Sequence, residues 1–183
     1  MVIELLKSRL IFIFTERTQV ALAATFPSGR TLATSALSIV QTNMNLYPKV
    51  NRPTEIGNYP ASVYAGGGFV WDEVLEYRVW CHPENGAEDL YNGDDYYYSF
   101  ETFEEAHNFS QSIDGAEFPI ALILQKEYLD ESNSGEYLHI KKERMTEWPV
   151  EFLSRPQRTE NTILDFLNAD PASNRLDILR GKV

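Results

Sequence analysis

The sequence has a single cysteine, Cys81, and no apolar run long enough to cross a bilayer. One cysteine excludes a disulfide within the chain, so nothing points to an oxidising compartment and we expect a cytoplasmic protein. Residues 10–14 are all apolar, but this run is far shorter than the ~20 residues that a membrane-spanning helix needs. A disulfide-stapled scaffold and a helical membrane protein are therefore excluded as fold classes.

Motifs for nucleotides and metals are also missing. The chain contains neither Gly-x-Gly-x-x-Gly nor the Gly-Lys-Ser/Thr of a phosphate loop. Its three histidines, His82, His107 and His139, lack the close spacing of metal ligands, so we predict no metal site. Cys81 and His82 are neighbours on a predicted strand and point to opposite sides, which disfavours a thiol–imidazole pair. No catalytic residue can be assigned from motifs.

Basic residues are scarce and unevenly placed. The chain has 27 acidic and 16 basic residues, a formal charge of −11, which argues against nucleic acid or an anionic membrane as partner. Residues 1–52 carry a net charge of +4, which leaves −15 for residues 53–183. This asymmetry predicts an N-terminal extension over 1–52, an irregular connection over 53–68, one α+β domain over 69–168 and a polar tail over 169–183. The extension is interpreted either as a targeting segment or as an upstream start that precedes Met44.

The acidic excess is greatest in residues 72–131, where sixteen Asp and Glu residues accompany only Arg78 and Lys126. Two interpretations stay open. The first is a solvated acidic face without a partner. The second is an interaction module that binds a basic protein through the carboxylates of Asp94, Asp95, Glu101, Glu104 and Glu105.

Periodicity predicts a small, mostly antiparallel sheet with one principal helix. Strands are expected over 74–80, 96–100, 118–124 and 137–140, with an extended segment over 146–153 and a polar loop over 130–135. Thr102 followed by Glu105 is a capping-box pattern and predicts a helix over 103–113, and a second, short helix is expected over 162–167. In the first strand, alternation places Leu75, Tyr77 and Val79 on one face and Val74, Glu76, Arg78 and Trp80 on the other.

Candidate ligand-binding residues lie on and near this first strand. Arg78, Trp80 and His82 share one face and bring together a cation, an aromatic ring and a titratable imidazole, a grouping suited to an anionic or aromatic small molecule. Arg78 equally fits a structural role in which it neutralises nearby carboxylates. Further candidates are the rings of Tyr96 and Tyr98 and the carboxylates that flank Trp148, Glu147 and Glu151.

The strings Glu-Tyr-Arg-Val-Trp-Cys-His-Pro at 76–83, Gly-Ala-Glu-Asp-Leu-Tyr at 86–91 and Thr-Glu-Trp-Pro-Val-Glu-Phe-Leu at 146–153 resemble a group of uncharacterised bacterial proteins labelled GNAT-type acetyltransferases. The resemblance covers about residues 70–180 and implies acetyl-coenzyme A as cofactor and an acyltransferase activity. The Arg/Gln-x-x-Gly-x-Gly/Ala turn that cradles the cofactor phosphates in such enzymes is absent from the chain. The resemblance therefore transfers no catalytic residue.

The order of elements is also similar to that of ADP-ribosyltransferase-like domains, which bind NAD. Those domains place an arginine on one strand, a Ser or Thr on the next, an apolar strand after a helix, and a glutamate on a later strand. Arg78, Ser99 and either Glu147 or Glu151 follow this order. The analogy implies an NAD-binding domain with these residues at its site, although fold analogy alone does not establish function.

Overall fold

The structure, a computed structural model, describes residues 47–183, all of which belong to one compact unit, Met44–Val183. The strands are β1 Tyr64–Ala65, β2 Glu73–Cys81, β3 Tyr96–Phe100, β4 Ile120–Gln125, β5 Tyr128–Asn133, β6 Glu136–Ile140 and β7 Arg144–Pro149. The helices are α1 Phe103–Ser110, α2 Thr162–Phe166 and α3 Arg175–Leu179, with 3-10 turns at Pro53–Glu55, Pro83–Asn85 and Val150–Ser154.

Five strands form the main sheet in the order β1-β7-β4-β2-β3, and β5 and β6 form a separate hairpin. β2 runs antiparallel to β3 and β4, β4 runs antiparallel to β7, and the short β1 pairs in parallel with β7. The mixed α and β content predicted from the sequence is confirmed. β4 lies at the centre of the sheet. It begins two residues later than predicted, because Pro119 has no N–H to give to a ladder.

A β-bulge changes the two faces of β2 from those that simple alternation predicts. Val74 lies opposite Ile123 and Glu76 lies opposite Leu122, so Leu75 is the extra residue. The prediction for residues 76–80 is confirmed, but that for Val74 and Leu75 is wrong. Val74 packs in the same core as Tyr77 and Val79, whereas Leu75 packs on the other face.

The helix α1 begins as the sequence predicts. The Thr102 hydroxyl accepts a hydrogen bond from the Glu105 amide, and the Glu105 carboxylate accepts one from the Thr102 amide, which completes a capping box. The helix ends at Ser110 rather than at residue 113. Two serine hydroxyls close its end, because Ser110 donates to the carbonyl of His107 and Ser112 donates to that of Phe109.

Each face of the main sheet is covered by a different part of the chain. On one face, α1 packs through Ala106 onto a core that includes Tyr77, Ile123 and Trp148. On the other face, a smaller core of Leu75, Leu122 and Leu124 is covered by Tyr59 and Val63. The expected irregular connection therefore packs on the sheet and supplies its edge strand β1, while Val50 is itself buried in the first core.

The prediction of a polar loop over 130–135 is wrong, because most of these residues belong to the strands of the β5–β6 hairpin. Asp130 pairs with Leu138 and Asn133 pairs with Glu136, so only two residues form the turn. Polar residues are tolerated in this hairpin because its outer part lies in solvent. The segment expected to be a polar tail carries α3, whose Leu179 joins a third core with Leu129, Ile163 and Phe166.

Candidate functional site

Arg78 lies in the middle of β2 and is fully buried. Its Nε is 2.6 Å from Glu76 Oε1, and its Nη1 is 2.8 Å from Glu147 Oε1. Glu76 is two residues earlier on the same strand and shares its face, whereas β7 brings Glu147 from 69 residues away. We call these three residues the buried ion cluster.

The segment that covers this face of the sheet supplies the other partners of the buried ion cluster. Arg78 Nη2 donates to the carbonyl of Pro60 at 2.8 Å, and the amide of Gly57 donates to Glu76 Oε2 at 2.7 Å. The guanidinium carbon lies 4.3 Å from the centre of the Tyr97 ring, a cation–π contact. Each guanidinium nitrogen therefore has a partner within residues 47–183, and none is directed at open solvent.

Trp80 and Glu147 connect the buried ion cluster to the neighbouring aromatic side chains. The Trp80 indole N–H is 3.3 Å from the Glu147 carboxylate that also binds Arg78. The Trp80 ring lies 4.9 Å from that of Tyr97, whose hydroxyl donates to the carbonyl of Tyr59. Of the residues predicted from the sequence, the structure brings together Arg78, Trp80 and Glu147, and it places Ser99 opposite Arg78 in the ladder.

His82 lies just beyond β2 and has carboxylate partners of its own. Its Nδ1 is 2.9 Å from Asp95 Oδ1, and its Nε2 is 3.1 Å from Glu117 Oε1, an ion-pair contact without hydrogen-bond alignment. Partial burial pulls the pKa of His82 down, but the hydrogen bond and charge of Asp95 and the charge of Glu117 outweigh burial and raise it. The imidazolium form is therefore favoured between the two carboxylates.

The remaining predicted residues lie elsewhere. Tyr96 and Tyr98 are on the α1 side of β3, where Tyr98 packs against Phe109 at 4.7 Å and the Tyr96 hydroxyl donates to the carbonyl of Glu88. Glu151 is exposed in the 3-10 turn after β7. It affects Tyr47, whose pKa is raised by burial first and by the Glu151 charge second. These residues do not converge with Arg78 on one cavity within the described part of the chain.

Sequence reasoning missed two members of the site, Glu76 and Tyr97. A signal for Glu76 was present, since a carboxylate two residues before Arg78 on a strand must share its face. The same alternation could have shown that Tyr97 lies on the opposite face of β3 from Tyr96 and Tyr98. Nothing local indicated that Glu147, rather than Glu151, would reach Arg78.

A second ionic network, unpredicted from the sequence, ties the C-terminal part of the unit to β2. Arg158 contacts Asp72 Oδ1 at 2.6 Å and Glu127 Oε1 at 2.5 Å, and Glu127 Oε2 lies 2.7 Å from His139 Nε2. The hydrogen bond from His139 is the main cause that lowers the pKa of Glu127. The hydrogen bond to Asp72 and the negative charge of Asp72 raise the pKa of Arg158, although burial acts in the opposite direction. Glu127 and Arg158 therefore stay ionised at neutral pH.

Arg78 lines neither of two open clefts among the described residues. One, of about 260 Å³, is lined by residues that include Lys142, Arg144, Tyr64 and Tyr128. Arg144 lies over the Tyr128 ring at 3.6 Å. The other, of about 440 Å³, lies between residues 47–49 and the start of α1.

Apart from histidine, the exposed charge of residues 79–125, which include β3 and α1, is of one sign. Residues 79–125 contain no Lys or Arg. Nine of their carboxylates are exposed: Glu84, Glu88, Asp89, Asp94, Asp95, Glu101, Glu105, Asp114 and Glu117. We call this set the acidic surface. In residues 47–183, no group of three or more His, Cys, Asp or Glu side chains has an arrangement that could hold a metal ion.

Comparisons with protein-family models, with curated proteins and with solved structures each found no match to this chain. Among the residues that the structure describes, no helix has the length and apolar character needed to cross a membrane.

Proposed function

We propose that the protein is an acidic interaction module that binds a basic partner. The observation that supports this most is the acidic surface itself. Over residues 79–125 every exposed ionised side chain other than histidine is a carboxylate, and the neighbouring Arg78 is buried and cannot offset them. Such a one-sign field attracts oppositely charged chains and accelerates their association.

The placement of Arg78 weakens the small-molecule hypotheses. A ligand anchor needs a free donor at an accessible position, but the Arg78 side chain is inaccessible and bound to two carboxylates. An ADP-ribosyltransferase-like site needs Arg78 and Glu147 to contact NAD, whereas here they bind each other. An anionic cofactor would also have to approach the acidic surface against electrostatic repulsion.

Acyl transfer with acetyl-coenzyme A, which the sequence resemblance implies, would need a site that binds this cofactor. The cofactor's phosphates need cations, and the cleft lined by Lys142 and Arg144 supplies two. Acetyl-coenzyme A that binds the native state must raise the unfolding temperature. An unchanged unfolding temperature at millimolar acetyl-coenzyme A would remove this candidate.

The interaction proposal is tested with a fluorescent oligolysine peptide and the full chain. We expect binding that weakens steeply as NaCl rises from about 0.05 to about 0.5 M, because salt screens exposed charges. In the variant Asp94→Asn/Glu101→Gln, the loss of about 0.5 kcal/mol for each exposed carboxylate predicts roughly fivefold weaker binding.

The matched control changes the charge by the same amount at two residues outside the acidic surface. Glu143 and Asp170 are exposed, and Glu143 directly precedes β7, three strands from β3, or about 14 Å at the usual strand spacing. Glu143→Gln/Asp170→Asn should bind the oligolysine peptide within about twofold of the unmodified protein, since screening at physiological salt acts over ~8 Å. Equal losses in both variants would show that net charge alone matters, and no binding at low salt would reject the module.

A further inference from the structure

β3 is the last strand of the main sheet, and β2 is the one strand of the described residues that pairs with it. It is five residues long and contains none of the proline, glycine or lysine that proteins use to block an exposed edge. The edge of β3 that faces away from β2 can therefore pair with another strand.

The backbone groups that face this open side can be identified. The amide of Glu117 donates to the carbonyl of Trp80, so the backbone groups of Trp80 point towards β4. Residues that alternate along a strand direct their backbone groups to alternate sides. Trp80 is opposite Tyr97 in the ladder, so Tyr97 and, two residues on, Ser99 direct their N–H and C=O groups away from β2. Within residues 47–183 these four groups have no backbone partner.

The next residue of the same orientation already has a backbone partner outside the sheet. Glu101 faces the same way as Tyr97 and Ser99, and its carbonyl accepts a hydrogen bond from the amide of Val50 at 3.3 Å. The edge at its Glu101 end is thus reached by one main-chain hydrogen bond from another segment. The open part of the edge has Asp94 and Asp95 at one end of the strand and Glu101 at the other end.

We propose that a basic segment of the partner binds in an extended conformation along β3, as an added strand hydrogen-bonded to Tyr97 and Ser99. The proposal rests on the interaction function proposed above and specifies its geometry. Main-chain hydrogen bonds to the four open groups supply affinity, as in other cases of strand addition. Lys or Arg side chains of the added strand meet Asp94 at one end and Glu101 at the other, which sets the charge of the segment that fits.

Charge also argues against a second copy of this chain as the occupant. Two β3 edges that pair antiparallel bring the Asp94 and Asp95 end of one copy against the Glu101 end of the other. Like charges directly across a strand pair are destabilising. An edge flanked by carboxylates therefore resists self-pairing and accepts a strand that carries positive charge.

The test compares two peptides of equal charge on the full chain. The first is a peptide of about eight alternating Lys and Thr residues, a typical strand length with β-branched side chains. The second is the same peptide with its two central, adjacent amide nitrogens methylated, so that neither of its edges can donate there. We expect the methylated peptide to bind at least about tenfold more weakly, the equivalent of the loss of one or two hydrogen bonds.

A variant of the protein tests the same contact from the other side. Ser99→Pro removes an N–H that faces the open edge and takes no part in the ladder with β2, a place where strands tolerate proline. We expect this variant to bind the unmethylated peptide about tenfold more weakly and to lose less when the peptide is methylated, because both changes remove the same contacts. Far-ultraviolet circular dichroism and thermal unfolding test whether Ser99→Pro is folded. If the variant does not fold, the comparison of the two peptides on the unmodified protein tests strand addition by itself.

The outcomes separate this proposal from the function on which it rests. Equal affinity for the two peptides, with the salt dependence retained, would overturn strand addition and leave the acidic interaction module in place. No binding of either peptide at low salt would reject both. Sedimentation velocity tests whether a second copy of the chain occupies the edge instead. If the protein alone forms a dimer and Ser99→Pro abolishes it, the choice of a basic partner is overturned.

Discussion

Replacing Arg78 by methionine is the sharpest test of the buried ion cluster. The change removes a fully buried cation that makes contacts of 2.6 Å with Glu76 and 2.8 Å with Glu147, and it leaves two carboxylates beneath residues 57–61. Breaking a buried ion pair by removing one partner costs about 3–5 kcal/mol. At ~2–4 °C per kcal/mol for a chain of this size, the unfolding temperature should fall by about 10 °C. Urea unfolding followed by tryptophan fluorescence measures the loss.

Two further variants show whether uncompensated charge is the cause. Arg78→Lys keeps the charge but cannot bridge both carboxylates with a planar fork, so its stability should lie between those of the unmodified protein and Arg78→Met. Arg78→Met/Glu76→Gln/Glu147→Gln removes all three charges and should recover a large part of the loss, because neutral replacements of buried ion clusters are often tolerated. A loss below about 1 kcal/mol in Arg78→Met would contradict the structural role, since an uncompensated buried charge cannot cost so little.

Three other substitutions give independent checks of the fold. Gly115→Ala should destabilise the protein by more than ~1 kcal/mol in urea unfolding, because Gly115 has φ +72° and an added Cβ would collide with the Ala87 amide nitrogen; an unchanged midpoint would refute this close approach. Thr102→Ala should cost about 1 kcal/mol by loss of the α1 cap, whereas Thr102→Ser should cost much less, and equal losses would contradict the capping role. The raised pKa of His82 predicts that its stabilisation relative to His82→Gln is complete below about pH 6.5 and is lost as pH rises through the raised value; a pH-independent difference in unfolding temperature would contradict it.

Local sequence signals predicted the elements that depend on neighbouring residues. The strand Tyr96–Phe100 and the capping box of Thr102 follow from side-chain period and from hydrogen bonds three residues apart. The predicted faces of β2 failed at Leu75, because a bulge inserts this extra residue and reverses the two faces for the residues that precede Glu76. A bulge leaves no clear mark in the alternation of β2.

The partners of the charged residues could not be predicted in the same way. Glu147 reaches Arg78 from 69 residues away, and Arg158 reaches Asp72 from 86 residues away. These pairs are fixed by the order of the strands in the sheet and by the path of residues 150–158, and composition constrains neither. The acidic surface was visible in the sequence because the absence of Lys and Arg in residues 79–125 does not depend on how the chain folds.

The network around Arg158 has a consequence for a chain that is cut. Lys141 and Lys142 are exposed between β6 and β7, where trypsin can reach the backbone. A break there separates Asp72 and Glu127 from Arg158 in the covalent chain, but the ion pairs of Arg158 with these two residues and the ladder between β4 and β7 remain. The two fragments should stay bound to each other in native buffer and part only in denaturant, so that the nicked protein behaves as a heterodimer held together without a linker.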